Sequence, residues 1–138
     1  MTDDRSRALG LLWLRLAAGG MMLLAHGWPK LMVIHELVER FPDPLGIGSA
    51  ASAVLAVGAE AGCSLLLICG LWTRWAALPL IVTMLVAAFL VHGDDPWAKK
   101  EFALVYMIPF LTLALMGPGE WSVDAWRERR AGKKGSKA

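Results

Sequence analysis

The sequence predicts an all-α, polytopic membrane protein: a bundle of four transmembrane helices with a short amphipathic surface helix between helices 1 and 2. Of the 138 residues, 57% are hydrophobic and 19% are charged, which is more apolar surface than a soluble domain of this length buries. Four apolar runs approach the ~20 residues that cross a hydrocarbon core, and they are too long and too uniform for barrel strands. The runs are about Ala8 to Ala25, Ser49 to Thr73, Trp75 to Val91 and Phe102 to Gly119.

The first apolar run carries a stripe of distinctive residues. Arg15, Gly19, Met22 and His26 recur at the spacing of one helix face. Arg5 and Arg7 precede the run as they would in a secretory signal. Arg15 inside the run and the lack of a clear cleavage site favour a retained helix instead.

The segment from His26 to Gly48 predicts a loop that contains one short helix. In "KLMVIHELVERF" one helical face would hold Leu31, Ile34, Leu37, Val38 and Phe41, which is typical of a helix lying on a membrane surface. The following "PDPLGIG" ends this helix before the second run.

Basic residues in the flanks predict the orientation. One side would hold nine of them: Arg5, Arg7, Arg74, Arg127, Arg129, Arg130, Lys133, Lys134 and Lys137. The other side would hold four: Lys30, Arg40, Lys99 and Lys100. This imbalance predicts that both termini are cytoplasmic. Residues 1–124 would form the membrane domain, and residues 125–138 a basic, disordered tail beside anionic lipid, with no role in binding nucleic acid.

Two charged residues lie deep in the predicted spans. Glu60 is ~15 Å from the outer edge of the second span, and Arg15 is ~10 Å from the cytoplasmic edge of the first. An unpaired charge at such depth costs ~3 kcal/mol or more, so the two are expected to neutralise each other. Such a pair could be a structural link between helices, or it could bind a substrate or a proton.

A second polar group is expected at the outer rim, where His26, Lys30, His92 and Glu101 would lie at one height. With the buried charges they form a candidate site. Glu60, His26 and His92 are the candidate catalytic residues, which would move protons, and Arg15, Lys30 and Glu101 are the candidate ligand-binding residues. A quinone, with its head at this site and its tail between the helices, would suit it. Metal binding is the rival use, but HxxxH and CxxC spacings are absent, and no metal ligand is assigned.

Five segments in order resemble the DoxX family of small four-helix bacterial membrane proteins, over about residues 9 to 124. They are "LRLAAGGMMLLAHGWPKL", "GAEAGCSLLLICGLWTRWAAL", "MLVAAFLVHGDDPW", "KKEFALVYM" and "GPGEWSVD". The family's polar and glycine positions correspond to Arg15, His26, Gly27, Lys30, Glu60, Gly62, Thr73, Arg74, His92 and Glu101. Cys63 departs from the pattern, since many relatives have glycine there.

The resemblance implies a multi-pass protein of the bacterial inner membrane. The family is named for a subunit of a thiosulfate-to-quinone oxidoreductase, and its relatives are linked with oxidative stress and metal handling. The expectation is therefore a redox-linked subunit that binds a quinone or a similar molecule, with membrane lipid, a redox partner protein and a second copy of the chain as partners. A noncatalytic scaffold and a small transporter or metal-handling protein are the alternatives, and whether the chain is an enzyme stays open.

Overall fold

The computed structural model describes residues 3–135, with side chains from 3 to 131. This part of the chain forms six helices and no strand. They are α1 (Asp3–Met32), α2 (Ile34–Arg40), α3 (Ser49–Cys69), α4 (Thr73–Val91), α5 (Trp97–Met116) and α6 (Val123–Gly135). Each of α1, α3 and α4 contains one π-helical turn: Leu23–Gly27, Gly58–Cys63 and Ala87–Val91, respectively.

Three helices have the length and composition to cross a membrane, namely α1, α3 and α4. The fifth helix, α5, is 20 residues long but carries Lys99, Lys100 and Glu101 near its start. Those charges shorten its uninterrupted apolar stretch below a full span. The all-α prediction is therefore confirmed for the described residues, and three of its helices are suited to a bilayer.

The first helix is longer than the sequence predicted. The predicted span ended at Ala25, before the polar residues, but α1 continues to Met32. Pro29 has no amide donor and clashes with the carbonyl four residues earlier in a regular α-helix. A π turn, Leu23–Gly27, directly precedes the α-helical stretch with Pro29 near its start, and a wider turn at this point accommodates the missing bond. Lys30 consequently lies on the helix and not in a loop.

The second helix is shorter than its pattern suggested. It covers Ile34–Arg40, none of its residues is buried, and it packs against the start of α3. Leu31 belongs to α1 and Phe41 follows the helix. Residues 30–32, the first part of the segment predicted as a surface helix, therefore belong to α1.

Close helix packing surrounds a core of fully buried side chains. Met22, Leu67, Leu80, Phe110 and Leu113 are inaccessible to solvent within the bundle. Pairwise, α4 packs along α5 and α1 packs along α3. Every methylene buried in such a core contributes about 0.8 kcal/mol in water, whereas in lipid the same contacts act through close packing.

Two glycines let α1 approach α3. A Cβ atom at Gly19 would lie 2.9 Å from Cγ1 of Ile68, and one at Gly27 would lie 2.6 Å from the carbonyl carbon and oxygen of Glu60. These contacts fix an antiparallel register, with Gly27 level with Glu60 and Gly19 level with Ile68. Small residues permit this separation because no side chain stands between the backbones.

The C-terminal segment closes one end of the bundle. The carboxylate of Asp124 accepts hydrogen bonds from the amides of Trp72 and Thr73, at 3.0 and 3.2 Å, and so caps α4. The amide of Asp124 donates to the carbonyl of Gly70 at 3.0 Å. Two bonds to the start of one helix and a third to the preceding turn hold the chain after α5 against the α3–α4 connection.

The predicted disordered tail is instead helical as far as the structure describes it. Ser122 caps α6, since its hydroxyl accepts a bond from the amide of Ala125 at 3.1 Å. The guanidinium of Arg130 stacks on the ring of Trp126, 3.9 Å from the ring centroid. These local interactions favour a helix despite the high charge. Residues 136–138, the end of the predicted tail, lie outside the described residues.

The close approach at Gly27 gives a test of this packing. We expect Gly27→Ala to lower the apparent unfolding temperature in mild detergent, because its Cβ would meet backbone atoms that cannot rotate away, at a cost of about 1–3 kcal/mol. Gly20→Ala is the matched control, because no atom lies within 4 Å of its added Cβ and alanine favours a helix by about 1 kcal/mol. An unfolding temperature for Gly27→Ala equal to that of Gly20→Ala would contradict the register.

Candidate functional site

A cavity of about 670 Å³ lies between α3, α4 and the loop 41–47. We call it the α3–α4 cavity. Most of its lining is apolar, including Leu55 and Ala59 of α3 and Val82 and Val86 of α4. Its lining on α4 runs from Trp75 to Val91, a length of about 24 Å at 1.5 Å per residue. The cavity is thus long and apolar, as sites for hydrophobic ligands are.

Three ionisable side chains line the same cavity: Lys30, Glu60 and His92. The ammonium Nζ of Lys30 lies 2.7 Å from both carboxylate oxygens of Glu60. Glu60 is only 3% exposed, whereas Lys30 is partly exposed. A carboxylate at this depth needs a charged partner because water cannot solvate it. The pair therefore stabilises the buried charge and presents a polar surface to the cavity.

The π turns explain how these groups come together. Glu60 lies in the π turn of α3, where Ala59, Glu60 and Ala61 are all buried. The π turn of α1 packs directly against it through Gly27. The third π turn ends α4 immediately before His92. Such turns re-aim side chains and occur frequently at functional sites. Here one π turn carries Glu60, one packs against it and one directly precedes His92. We call the part of the α3–α4 cavity that Lys30 and Glu60 line its polar end.

His92 is held by an acidic neighbour that the sequence analysis did not identify. Its Nδ1 atom lies 2.7 Å from Oδ2 of Asp95, and the same oxygen accepts a bond from Lys99 at 3.3 Å. The hydrogen bonds from His92 and then Lys99 lower the pKa of Asp95 below its usual range, so this carboxylate is ionised at neutral pH. Since Asp95 engages Nδ1, the other ring nitrogen, Nε2, is the one available to a ligand.

The loop 41–47 is fixed by Asp43 at its base. The carboxylate of Asp43 accepts hydrogen bonds from the amides of Ile47 and Gly48, at 3.0 and 2.8 Å, and from the hydroxyl of Ser52 at 2.9 Å. The bond from Gly48 is the main cause of a lowered pKa for Asp43. The ionised carboxylate therefore ties the loop over the cavity to the start of α3.

Two predicted rim residues lie elsewhere. His26 is half-buried against the rings of Phe102 and Tyr106, with centroids 6.1 and 5.3 Å away. It lies close enough to Glu60 and Lys30 for their charges to act on it, but it does not line the α3–α4 cavity. Glu101 is exposed and is also outside the lining. Lys30, Glu60 and His92 are thus the predicted site residues that the cavity brings together.

The expected pairing of Arg15 with Glu60 is wrong. Glu60 pairs with Lys30, and Nη2 of Arg15 donates a hydrogen bond to the carbonyl of Trp121. The helix register is the cause: Gly27, not Arg15, is level with Glu60, and the twelve residues between Gly27 and Arg15 span ~18 Å. Arg15 is 1% exposed and packs beside Gly70.

Arg15 instead belongs to the closed end of the bundle. Asp124 is the acidic group whose charge acts on it most strongly, and that carboxylate also caps α4. The Nε and Nη1 atoms of Arg15 are buried without hydrogen-bond partners among the described residues. A buried guanidinium that is only partly satisfied is costly to keep. Its contact with the C-terminal segment therefore makes Arg15 part of the structural end of the protein, away from the cavity's polar end.

The sequence contained a signal for the true partner of Glu60. Lys30 follows His26 at a spacing of four, so it continues the stripe of Arg15, Gly19, Met22 and His26 if α1 does not end at Ala25. Asp95 and Asp124 had no comparable signal, because Asp95 lies in an irregular segment and Asp124 in the first turn of α6, and the partners of both depend on the tertiary fold. Among the described residues, no three His, Cys, Asp or Glu side chains are placed to hold a metal ion.

Stability measurements can test the Lys30–Glu60 pair. We expect Lys30→Met to destabilise the protein by about 3–5 kcal/mol, because it leaves the Glu60 carboxylate buried alone, Glu60→Leu to destabilise it less, because Lys30 is partly exposed, and the double variant to recover most of the loss caused by Lys30→Met. Thermal unfolding in detergent measures the effect. The control is Arg15→Leu with Glu60→Leu, for which the losses should add, since the side chains are far apart. The structure would be contradicted if the Arg15 and Glu60 double variant recovered stability and the losses of the Lys30 and Glu60 variants simply added.

Comparisons with known proteins identify the family of this chain. The family model for DoxX matches residues 10–93. An uncharacterized protein of Haemophilus influenzae is 32% identical over 94 residues, which are 64% of this chain and 62% of that protein, so the match spans less than two thirds of it. The uncharacterized membrane protein Rv3486 of Mycobacterium tuberculosis is 30% identical over 127 residues, 81% of this chain and 78% of that protein.

No solved structure matches the chain. The family match covers more than half of the sequence and includes the three ionisable residues of the α3–α4 cavity. The second relative is a membrane protein by its printed name, in agreement with the apolar helices found here. The chain therefore belongs to the DoxX family of membrane proteins.

Proposed function

We propose that this DoxX-family protein binds a quinone, or a lipid-soluble molecule of similar shape, in the α3–α4 cavity, as a redox-linked membrane subunit. The observation that supports this proposal is the character of the cavity: an apolar space whose lining includes the three ionisable residues Lys30, Glu60 and His92. A quinone has the complementary character, because its polar ring carries an apolar tail.

The cavity and its polar groups fit such a molecule. Its volume of about 670 Å³ falls within the ~300–1,000 Å³ that small-ligand sites occupy. The ammonium group of Lys30 is a donor suited to a ring carbonyl oxygen, and Nε2 of the neutral His92 ring, whose Nδ1–H faces Asp95, is an acceptor suited to the hydroxyl of a reduced ring. The apolar side chains along α4 would enclose the tail over the ~24 Å between Trp75 and Val91.

The residues at the head have the chemistry for proton exchange. A bound quinone supplies two-electron, two-proton chemistry. The ammonium group of Lys30 holds exchangeable protons beside the buried carboxylate of Glu60, which can accept one, and His92, half-buried beside Asp95, lines the same cavity. The sequence carries no flavin, haem or iron–sulfur motif, so a partner protein or a reduced substrate, such as a sulfur compound, would deliver the electrons.

The proposed setting is a bacterial inner membrane, with α1, α3, α4 and α5 as four spans and α2 at the outer surface. The support is the grouping of basic residues: Arg5, Arg74 and Arg127 belong to one end of the bundle, and Lys30 and Lys99 to the other. The end with more basic residues, which holds the start of α1 and the start of α6, would then be cytoplasmic, and so would both termini. Membrane lipid, a redox partner and a second copy of the chain are the proposed partners.

One observation favours a second candidate, the noncatalytic scaffold. Lys30 already satisfies both oxygens of Glu60, so the pair is complete without a ligand. In that case the ion pair only fixes the helix register, and lipid chains fill the cavity.

Binding of decylubiquinone to the purified protein separates the two candidates. We expect Glu60→Gln and Lys30→Gln to weaken binding by roughly tenfold or more, since each removes a charged group at the polar head. Glu101→Gln is the matched control, because Glu101 lies outside the cavity, and it should bind as the wild type does. Mass spectrometry of extracts from mild detergent would identify any copurifying quinone.

Decanol serves as a probe for the apolar cavity alone. Decylubiquinone binding that is tighter than decanol binding and depends on Glu60 and Lys30 supports the quinone proposal. Equal binding of the two probes, with no effect of either substitution, rejects it and favours the scaffold.

A further inference from the structure

A second pocket, of about 520 Å³, lies at the end of the bundle away from Glu60, between the start of α4 and α6. Arg74 and Arg127 both line it, and we call it the arginine pocket. Trp72, Thr73 and Trp75 contribute to the same lining. Its position and its residues are separate from the polar end of the α3–α4 cavity.

The pocket offers hydrogen-bond donors that have no partner in the described part of the chain. Neither Arg74 nor Arg127 makes an ion pair or a hydrogen bond with the residues that the structure describes. The side chain of Thr73 is 0% exposed, and its hydroxyl oxygen has no hydrogen-bond partner among residues 3–131. Two guanidinium groups with a hydroxyl donor are the set that phosphate groups require.

The acidic residues of the lining do not cancel this set. Asp124 is already engaged by the amides of Trp72 and Thr73 and lies within electrostatic reach of Arg15. Glu128 is the other carboxylate of the lining. Three arginines, Arg15, Arg74 and Arg127, face two carboxylates, Asp124 and Glu128, so the net charge around the pocket is +1. Because Asp124 occupies the amides at the start of α4, an anion would be held by side chains and not by the helix terminus.

The aromatic residues indicate that the phosphate comes from lipid. Trp72 and Trp75 flank the arginine pocket and are 58% and 74% exposed. Indole rings settle at the headgroup level of a bilayer, which is where lipid phosphates lie. We propose that the arginine pocket binds the phosphate ester of an anionic phospholipid, with Arg74 and Arg127 on its oxygens and the two indoles against the start of its acyl chains.

The test uses the full chain in mild detergent, with phosphatidylglycerol and phosphatidylcholine of identical acyl chains as probes, and native mass spectrometry as the readout. We expect Arg74→Gln with Arg127→Gln to weaken phosphatidylglycerol binding by roughly tenfold or more. The matched control is Arg5→Gln with Arg130→Gln, which removes the same charge outside the pocket and should bind as the wild type does. Arg127→Gln alone changes an exposed residue, so its reduced binding would not reflect a folding defect.

Competition by glycerol phosphate distinguishes the two sources of a phosphate ester. The lipid site is supported if the wild type keeps phosphatidylglycerol in the presence of millimolar glycerol phosphate and the Arg74 and Arg127 variants lose phosphatidylglycerol binding. Displacement by glycerol phosphate overturns the lipid source in favour of a soluble phosphate ester. Equal phosphatidylglycerol binding in the pocket and control variants, or equal binding of the two lipids by the wild type, overturns the proposal.

Discussion

The buried ion pair between Lys30 of α1 and Glu60 of α3 is the constraint on which the rest of this structure depends. A carboxylate within apolar helices must have a charged partner, and Lys30 can reach it only if α1 remains helical past Pro29. That continuation requires the π turn of α1, and the approach of the two helices requires a residue without a side chain at Gly27. One electrostatic requirement thus determines the length of a helix, its irregular turn and its packing distance.

The two cations on one face of α1 have different roles, which the sequence alone does not distinguish. Lys30 satisfies Glu60 at the polar end of the α3–α4 cavity, and Arg15 satisfies the carbonyl of Trp121 at the closed end. Fifteen residues separate these cations, or about 22 Å along the helix axis. The end with Lys30 combines a cavity with exchangeable protons, whereas the end with Arg15 joins α1, the α3–α4 connection and the C-terminal segment. Chemistry is therefore proposed at one end, and anchoring at the other.

Patterns within single segments predicted much of the fold, but contacts between segments were harder to predict. Hydropathy identified α3 and α4 closely, and helical spacing placed Arg15, Met22 and Gly19 on the buried face. The end of α1 was wrong because polar residues and Pro29 resemble a loop, whereas a π turn carries the helix through them. That error moved Lys30 off the helix and left Arg15 as the apparent partner of Glu60. Asp95 acts from an irregular segment and Asp124 from the first turn of α6, and no periodicity indicates the distant partner of either.

The hydrogen bond from Arg15 to Trp121 joins residues that are 106 positions apart, and this separation has a consequence during synthesis. At ribosomal speeds of ~5–20 residues per second, α1 enters the bilayer roughly 5–20 s before its partner exists. Throughout that interval the guanidinium has to extend toward the headgroups, where its charge is solvated. The same cation that the finished bundle encloses thereby holds its own end of the nascent first helix near the headgroups.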